Sequence, residues 1–137
     1  MNGFLFGFAL VLLCVGVHYE GLRVCSRLLR GLELHRIGVA VAMIGALIAH
    51  MVEVLVFALG GRLIDELGAG RLEPAAANLE DHVYFAAVSY TSLGYGDVVP
   101  VGAMREVSWM AALTGLAMIA WTASFGFFQM ERLWNER

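Results

Sequence analysis

Charged residues are scarce in this chain of 137 residues: they make up 15% of the sequence, whereas 60% of the residues are hydrophobic. A soluble domain of this length rarely carries so little charge, so the composition excludes an ordinary soluble domain and is typical of a membrane protein. The formal net charge of −3 says little, because the distribution of the charges matters more than their sum.

Lysine is absent, and all nine basic residues are arginines, which is typical of a GC-rich genome and favours a bacterial source. Cysteine occurs only as Cys14, within an apolar run, and Cys25, just after it, so no disulfide framework is indicated. The amino end lacks the basic residues of a secretory signal peptide, and no small-x-small cleavage site follows the first apolar segment. We therefore expect that segment to be retained as a helix.

Three apolar segments are long enough, with their flanks, to cross the roughly 30 Å of hydrocarbon in a bilayer. They lie at residues 4–19, 37–60 and 106–130, and a half-apolar piece at 81–91 is too short to span. The sequence thus predicts an all-α membrane protein with three transmembrane helices, the first of which occupies residues 1–20.

The arginines predict the orientation of these helices. Residues 20–36 hold four arginines and two glutamates, whereas residues 61–82 hold two arginines and five acidic residues. By the positive-inside rule the first loop is cytoplasmic and the second is external. The amino terminus is then outside, and the short tail of residues 131–137 is cytoplasmic.

Residues 21–36 have the pattern of an amphipathic helix lying on the inner membrane surface. Four leucines and Cys25 share one helical face, while Arg23, Arg27 and Arg30 lie on the opposite face. We expect these arginines to contact anionic lipid headgroups, or water if the face is only solvated. Because they lie outside a spanning segment, they are not expected to sense voltage.

The stretch "YTSLGYGDVVP", residues 90–100, places polar and flexible backbone between two predicted spans. A segment that enters a membrane and returns must bury its backbone polar groups in protein or line a water-filled path. The preceding helix ends in partial negative charge, which favours a cation. Gly94 and Gly96 permit the unusual backbone angles that turn successive carbonyls toward one axis, where they can replace an ion's hydration shell.

The heptapeptide "TSLGYGD", residues 91–97, resembles the selectivity-filter signature of the potassium channel superfamily, usually written TVGYGD. Residues 37–130 as a whole resemble the two-helix pore module of that superfamily and of small bacterial ion channel proteins. The resemblance implies an outer helix at 37–60, an external acidic loop at 61–79, a re-entrant pore helix at 80–91, a filter at 92–97 and an inner helix at 105–130.

The resemblance also implies the roles of the filter residues. The carbonyls of the filter would coordinate K⁺, the Ser92 hydroxyl would close the innermost cage, Thr91 would support the filter, and Asp97 would stand behind the external mouth. The coordinating stretch is Ser92, Leu93, Gly94, Tyr95 and Gly96, with K⁺ held at the first four. One chain supplies a quarter of each carbonyl ring, so a homotetramer is implied. No cofactor and no nucleic acid partner are expected; K⁺ is the permeant ion.

The chain departs from the family pattern at the filter and behind it. Val88 lies where some members have a glutamate bonded to the filter aspartate, and Phe85 offers no indole donor to Tyr95. Ser92 keeps the hydroxyl of the usual threonine without its methyl group, and Leu93 replaces a valine whose carbonyl faces the ion. The hydrogen bonds that support the filter must differ, which concerns its rigidity and inactivation more than its selectivity class.

Two residues of the last helix are candidates for gating. Gly115 lies where the family often has a flexible hinge. Phe127 lies, by helical spacing, on the side of the last helix that is predicted to face the pore. An apolar ring of this kind can close a pore by dewetting.

His50 and Glu53 lie three apart on one face of the second span, where ionisable groups are costly. They are candidates for a proton-sensitive gating pair. The alternative is a structural anchor to the pore helix, through Tyr84, Ser89 or Tyr90, and the sequence favours this second interpretation. A metal site at the pair lacks a third ligand in the sequence.

The sequence therefore predicts a multi-pass membrane protein, in a bacterial inner membrane, that is a potassium-selective channel and not an enzyme. One alternative is a weakly selective cation channel, because the packing partners of the filter differ. Another is a nonconducting scaffold or regulatory subunit. The remaining alternative is an enzyme built on His50 and Glu53.

Overall fold

The computed structural model describes residues 2–31, 37–76 and 78–135, which form four helices and two short strands. In chain order these are α1 (Gly3–Gly31), α2 (Ile37–Glu66), β1 (Gly70–Glu73), α3 (Leu79–Tyr90), β2 (Val99–Gly102) and α4 (Met104–Asn135). Each long helix packs against both of the others, and α3 packs between α2 and α4.

The three long helices are apolar enough to cross a membrane, over Gly3–Leu28, Ile37–Glu66 and Met104–Arg132. Their outward sides carry large apolar residues that are more than half exposed in the single chain, including Leu12, Leu47 and Leu113. A soluble monomer rarely exposes so much apolar surface. The chain is thus a mostly helical membrane protein with three candidate transmembrane helices, as the sequence predicted.

The predicted boundary after residue 20 needs correction, because α1 continues without a break into the region assigned to an interfacial helix at 21–36. Proline is absent from this region, and Arg23 pairs with Glu20 across the predicted boundary at 2.9 Å. Nothing at the predicted boundary therefore ends the helix. Arg23 and Arg27 are exposed, whereas residues 32–36 and the side chain of Arg30 lie outside the described part of the chain. Lipid contact by the arginines stays a prediction.

The second helix also extends beyond its predicted end, because α2 continues from residue 60 to Glu66. Its adjacent glycines allow close packing instead of breaking the helix. A Cβ atom at Gly60 would lie 2.5 Å from Leu10 Cδ1 of α1, and one at Gly61 would lie 3.3 Å from Met104 Sδ of α4. The predicted external loop at 61–79 is correspondingly shorter.

The start of α3 is fixed by a reciprocal pair of hydrogen bonds. Asn78 Oδ1 accepts from the Asp81 backbone N–H at 3.1 Å, and Asp81 Oδ2 accepts from the Asn78 backbone N–H at 3.3 Å. The helix therefore lies within one residue of the predicted 80–91. The last helix, predicted to end at 130, continues to Asn135, so the tail assigned to 131–137 is helical over its described residues.

The two strands require a correction to the predicted all-α class. β1 pairs antiparallel with β2, with Gly70 opposite Gly102 and Glu73 opposite Val99. Leu72 of β1 is fully buried. Strands of four residues are too short for their alternation to be read from sequence. The pairing ties the chain before α3 to the chain after residue 98, so it restrains both flanks of the segment between them.

The last helix approaches the carboxyl end of α3 at Gly115. A Cβ atom added there would lie 1.8 Å from the Tyr90 carbonyl oxygen, so only glycine fits without displacing the backbone. α4 is helical through this position. Gly115 is therefore a packing residue in this structure, and the flexible hinge implied by the resemblance stays a prediction.

Gly115→Ala should destabilise the folded chain, because the new methyl group would overlap the Tyr90 carbonyl. We expect a loss of about 1–3 kcal/mol, the usual cost of overpacking, seen as a lower midpoint of thermal unfolding in detergent. Gly16→Ala is the matched control, since a Cβ there meets no atom of the described residues within 4 Å. That control should be neutral or stabilising, because alanine is the better helix former. Equal midpoints for the two variants would contradict the close approach.

Candidate functional site

Residues 91–97, here called the 91–97 segment, have a backbone in which the sign of φ alternates. The φ angle is +59° at Ser92, +54° at Gly94 and +82° at Gly96, while Leu93 and Tyr95 between them keep negative values. Alternation of left- and right-handed conformations brings successive N–H groups to one side of a chain, and so brings the carbonyls to the other. This backbone can present a row of carbonyl oxygens to a cation.

The positive φ at Ser92 is uncommon for a residue with a side chain, whereas the two glycines adopt it freely. Hydrogen bonds to the end of α3 hold this turn. The Ser92 N–H donates to the Ser89 carbonyl at 2.9 Å, and the N–H groups of Leu93 and Gly94 donate to the Val88 carbonyl at 3.0 and 3.3 Å. Val88 therefore contacts the segment through its backbone, which the identity of its side chain did not indicate.

Side-chain hydrogen bonds join both ends of the 91–97 segment to α3. The Thr91 hydroxyl donates to the Ala87 carbonyl at 2.8 Å, and the Tyr84 hydroxyl donates to Asp97 Oδ2 at 2.7 Å. Tyr84 was considered as a partner of the ionisable pair in α2, but its hydroxyl bonds the segment instead. Phe85, which has no donor, packs against the apolar core. Tyr84 thus supplies a side-chain hydrogen bond to the segment, which neither Val88 nor Phe85 could supply.

A closed ring of hydrogen bonds joins all four helices next to this segment. It contains His18 of α1, His50 and Glu53 of α2, Tyr90 of α3 and Thr122 of α4, and is called the buried ring below. His18 Nδ1 bonds Glu53 Oε1 at 2.9 Å, and the Tyr90 hydroxyl donates to Glu53 Oε2. His50 Nδ1 bonds the Tyr90 hydroxyl at 2.9 Å. Thr122 Oγ1 closes the ring, at 2.9 Å from His50 Nε2 and 3.3 Å from His18 Nε2.

The buried ring contains residues that the sequence reasoning found and residues that it missed. His50 and Glu53 were singled out, and Tyr90 is the one of their three proposed partners that bonds them. His18 was missed, although the rule that ionisable groups are costly within a span applies to it equally. Thr122 carries no such signal, because a threonine in a helix commonly bonds the carbonyl one turn earlier.

The same cluster offers a possible metal-ligand set. Ligand atoms of His18, His50 and Glu53 lie within 4.8 Å of one another, so the third ligand that the sequence lacked is present, and two imidazoles with a carboxylate suit zinc. Every imidazole nitrogen and carboxylate oxygen is, however, already hydrogen-bonded within the ring. A metal ion would have to replace those bonds, so the geometry favours a hydrogen-bonded network.

Phe127 lies on an outward face of α4 together with Leu116 and Ile119, all between 43% and 55% exposed in the single chain. Its ring meets Phe128 edge to face, with the centroids 6.0 Å apart. The face is available to a neighbouring chain or to a water-filled space. A constriction at Phe127 stays a prediction.

In a comparison with known families, a family model described as "Ion channel" matches residues 40–130. The matched range includes nearly all of α2, both strands, α3, the 91–97 segment and most of α4, whereas α1 lies outside it. The comparisons with curated proteins and with solved structures gave no match.

The hydrogen bond from Tyr84 to Asp97, together with the negative charge of that carboxylate, raises the pKa of Tyr84 above its ordinary value. The phenolate would lose the bond and face the carboxylate. Asp97→Asn should therefore let Tyr84 ionise at lower pH. The measurement is the ultraviolet absorbance of phenolate as a function of pH, in the wild type and in Asp97→Asn. The absorbance of the same protein with Tyr84→Phe is subtracted in each case, so that the difference reports Tyr84 alone. An unchanged Tyr84 midpoint in Asp97→Asn would show that this bond does not form.

Proposed function

Because the chain belongs to the ion channel family whose model covers residues 40–130, we propose that it is a potassium-selective channel. In this proposal α3 is a re-entrant pore helix and Ser92–Gly96 is the selectivity filter. The observation that carries it is the alternation of φ at Ser92, Gly94 and Gly96, within a heptapeptide that resembles the filter signature. Dehydrated K⁺ passes between the carbonyls of residues 92–95, driven only by its electrochemical gradient.

The proposed filter needs several copies of the chain. A dehydrated ion requires oxygen ligands on all sides, and one chain presents its segment from one side only. Leu93 and Tyr95 are 56% and 67% exposed in the single chain, and a Cβ at Gly94 or Gly96 meets none of its described atoms within 4 Å. Four chains around one axis would cover these groups and complete each carbonyl ring. The outward face of α4 would then line the cavity below the filter.

Potassium selectivity depends on the number, field strength and placement of the carbonyls that replace the hydration shell. Here the Tyr84 hydroxyl holds Asp97, the Val88 carbonyl accepts two N–H groups of the segment, and the Thr91 hydroxyl caps α3. These bonds support a filter that is fixed in position, although the residues that form them differ from those of the family pattern. The partial negative charge at the end of α3 adds attraction for a cation.

The proposal also covers the cellular setting. A bacterial inner membrane fits the arginine-only basic residues, and anionic headgroups are the expected partners of exposed Arg23 and Arg27 on α1. No covalent chemistry is required of any residue, which agrees with the general character of the family.

The test is ion flux into vesicles that contain the purified full-length chain. We expect K⁺ flux that exceeds Na⁺ flux and is blocked by Ba²⁺. Gly94→Ala should lower K⁺ flux by about tenfold or more, because a left-handed conformation costs a residue with a Cβ roughly 1–2 kcal/mol in each chain. Leu93→Val is the matched control and should conduct as wild type does, since only its carbonyl faces the ion.

Three results would contradict the proposal in different ways. Equal K⁺ and Na⁺ flux would indicate a weakly selective cation channel. Absence of flux from tetramers verified by native mass measurement would indicate a scaffold or regulatory subunit. Full K⁺ flux from Gly94→Ala would place the conduction path away from this segment.

A further inference from the structure

The buried ring needs one more proton than its residues carry in their ordinary states. Each hydrogen bond uses one proton, and the ring closes through five of them. Two neutral imidazoles, the Tyr90 phenol and the Thr122 hydroxyl supply one proton each, and an ionised Glu53 supplies none. That makes four protons for five bonds, whichever tautomer each histidine adopts.

The missing proton can be located by following the ring from Glu53. The carboxylate accepts from His18 Nδ1–H and from the Tyr90 hydroxyl, so the Tyr90 oxygen must accept from His50 Nδ1–H. With neutral imidazoles, both Nε2 atoms then face Thr122 as acceptors. The single Thr122 proton can satisfy only one of them. A proton on the other Nε2 completes the ring, because Thr122 then accepts from one imidazole and donates to the other.

We propose that the buried ring is a binding site for one proton, which His18 and His50 share through the Thr122 hydroxyl. The bound proton balances the charge of Glu53, so the cluster is neutral as a whole. That matters here, because the side chains of His18 and Glu53 are completely buried, and an unbalanced charge among membrane-spanning helices is expensive.

The groups around the ring agree with a single positive charge. Trp121 of α4 lies beside the His18 ring, with the centroids 5.3 Å apart, a distance at which an indole face attracts a cation. Among the described residues, the titratable groups that face the ring are Cys14 and His18 from α1, His50 and Glu53 from α2, and Tyr90 from α3. Cys14 is outside the ring, because its thiol bonds the Glu53 backbone carbonyl at 3.9 Å; α4 contributes the uncharged Thr122.

The bound proton links pH to the end of α3. Without it, two bare nitrogens compete for one hydroxyl proton, and one bond of the ring must open. Tyr90 is the last residue of α3 and precedes the 91–97 segment directly. The bond that opens is one of the two at Thr122, so α4 loses a contact with α1 or α2 within the ring that holds Tyr90, and the end of α3 is held less firmly. The effect on ion flux rests on the proposed function, whereas the proton itself does not.

Nitrogen NMR of the full-length chain in lipid bilayers counts the protons directly, because protonated and bare ring nitrogens have well-separated ¹⁵N shifts. The chain carries ¹⁵N-histidine in a His35→Gln/His82→Gln background, which leaves His18 and His50 as the only reporters. At neutral pH we expect three protonated nitrogens and one bare nitrogen among their four. Two neutral imidazoles, or two imidazolium ions, would overturn the proposal.

Three variants test the count independently of stability. Glu53→Gln supplies an N–H donor in place of the carboxylate, so its ring closes with neutral histidines and should show two bare nitrogens. Thr122→Ser should keep the wild-type pattern, whereas Thr122→Val removes the bridge and should lose the extra proton. An imidazolium that persists in both Glu53→Gln and Thr122→Val would overturn the shared site. Stoichiometric zinc in the purified chain would do the same, since a metal needs bare nitrogens.

Ion flux then tests the link to α3. K⁺ flux of the wild type should fall as pH rises through the range where the NMR signal shows loss of the proton, and Glu53→Gln should lack this fall. If the proton is present but K⁺ flux is the same on both sides of that range, the site stands and its link to conduction is wrong. If no flux occurs at any pH, the proposed function fails while the NMR count still decides the proton site.

Discussion

Tyr90 is the residue on which the arrangement of this chain depends most directly. Its hydroxyl bonds Glu53 and His50, its carbonyl oxygen lies against Gly115, and the next residue begins the 91–97 segment. A short helix that ends among apolar helices cannot rely on water for its last polar groups. In this structure the Tyr90 hydroxyl bonds Glu53 and His50 of α2, and these two residues in turn bond His18 of α1 and Thr122 of α4. The position of the segment therefore depends on contacts among all three long helices.

The first helix is part of this arrangement, although it lies outside the range that matches the family model. It supplies His18 to the buried ring, and its Leu10 packs into the gap left by Gly60 of α2. Loss of either contact would leave a buried polar group unpaired or a cavity between helices. An added helix that only anchored the chain in lipid would need neither contact. We infer that α1, which is long and apolar enough to span a membrane, also stabilises the central helices.

The sequence predicted those features that depend on composition and local pattern. Three spans follow from long apolar runs, and α3 was placed within one residue by the resemblance of residues 37–130 to a two-helix pore module. The end of α2 was misplaced, because Gly60 and Gly61 resemble a helix stop until the packing of Leu10 and Met104 is known. The strand pairing and the role of Thr122 depend on contacts between distant residues, which no window of sequence contains. The positive φ at Ser92 is held by bonds to nearby residues of α3, but a serine gives no sign of it in the sequence.

In the proposed channel, the carbonyls of residues 92–95 hold dehydrated K⁺ on a four-fold axis. The most direct test is anomalous X-ray diffraction from crystals of the full-length chain grown in Tl⁺, a heavy substitute for K⁺. We expect a column of anomalous peaks on the axis of a tetramer, at the level of those carbonyls. A tetramer whose axis shows no peak beside residues 92–95, or a chain arrangement that leaves these carbonyls apart, would contradict it.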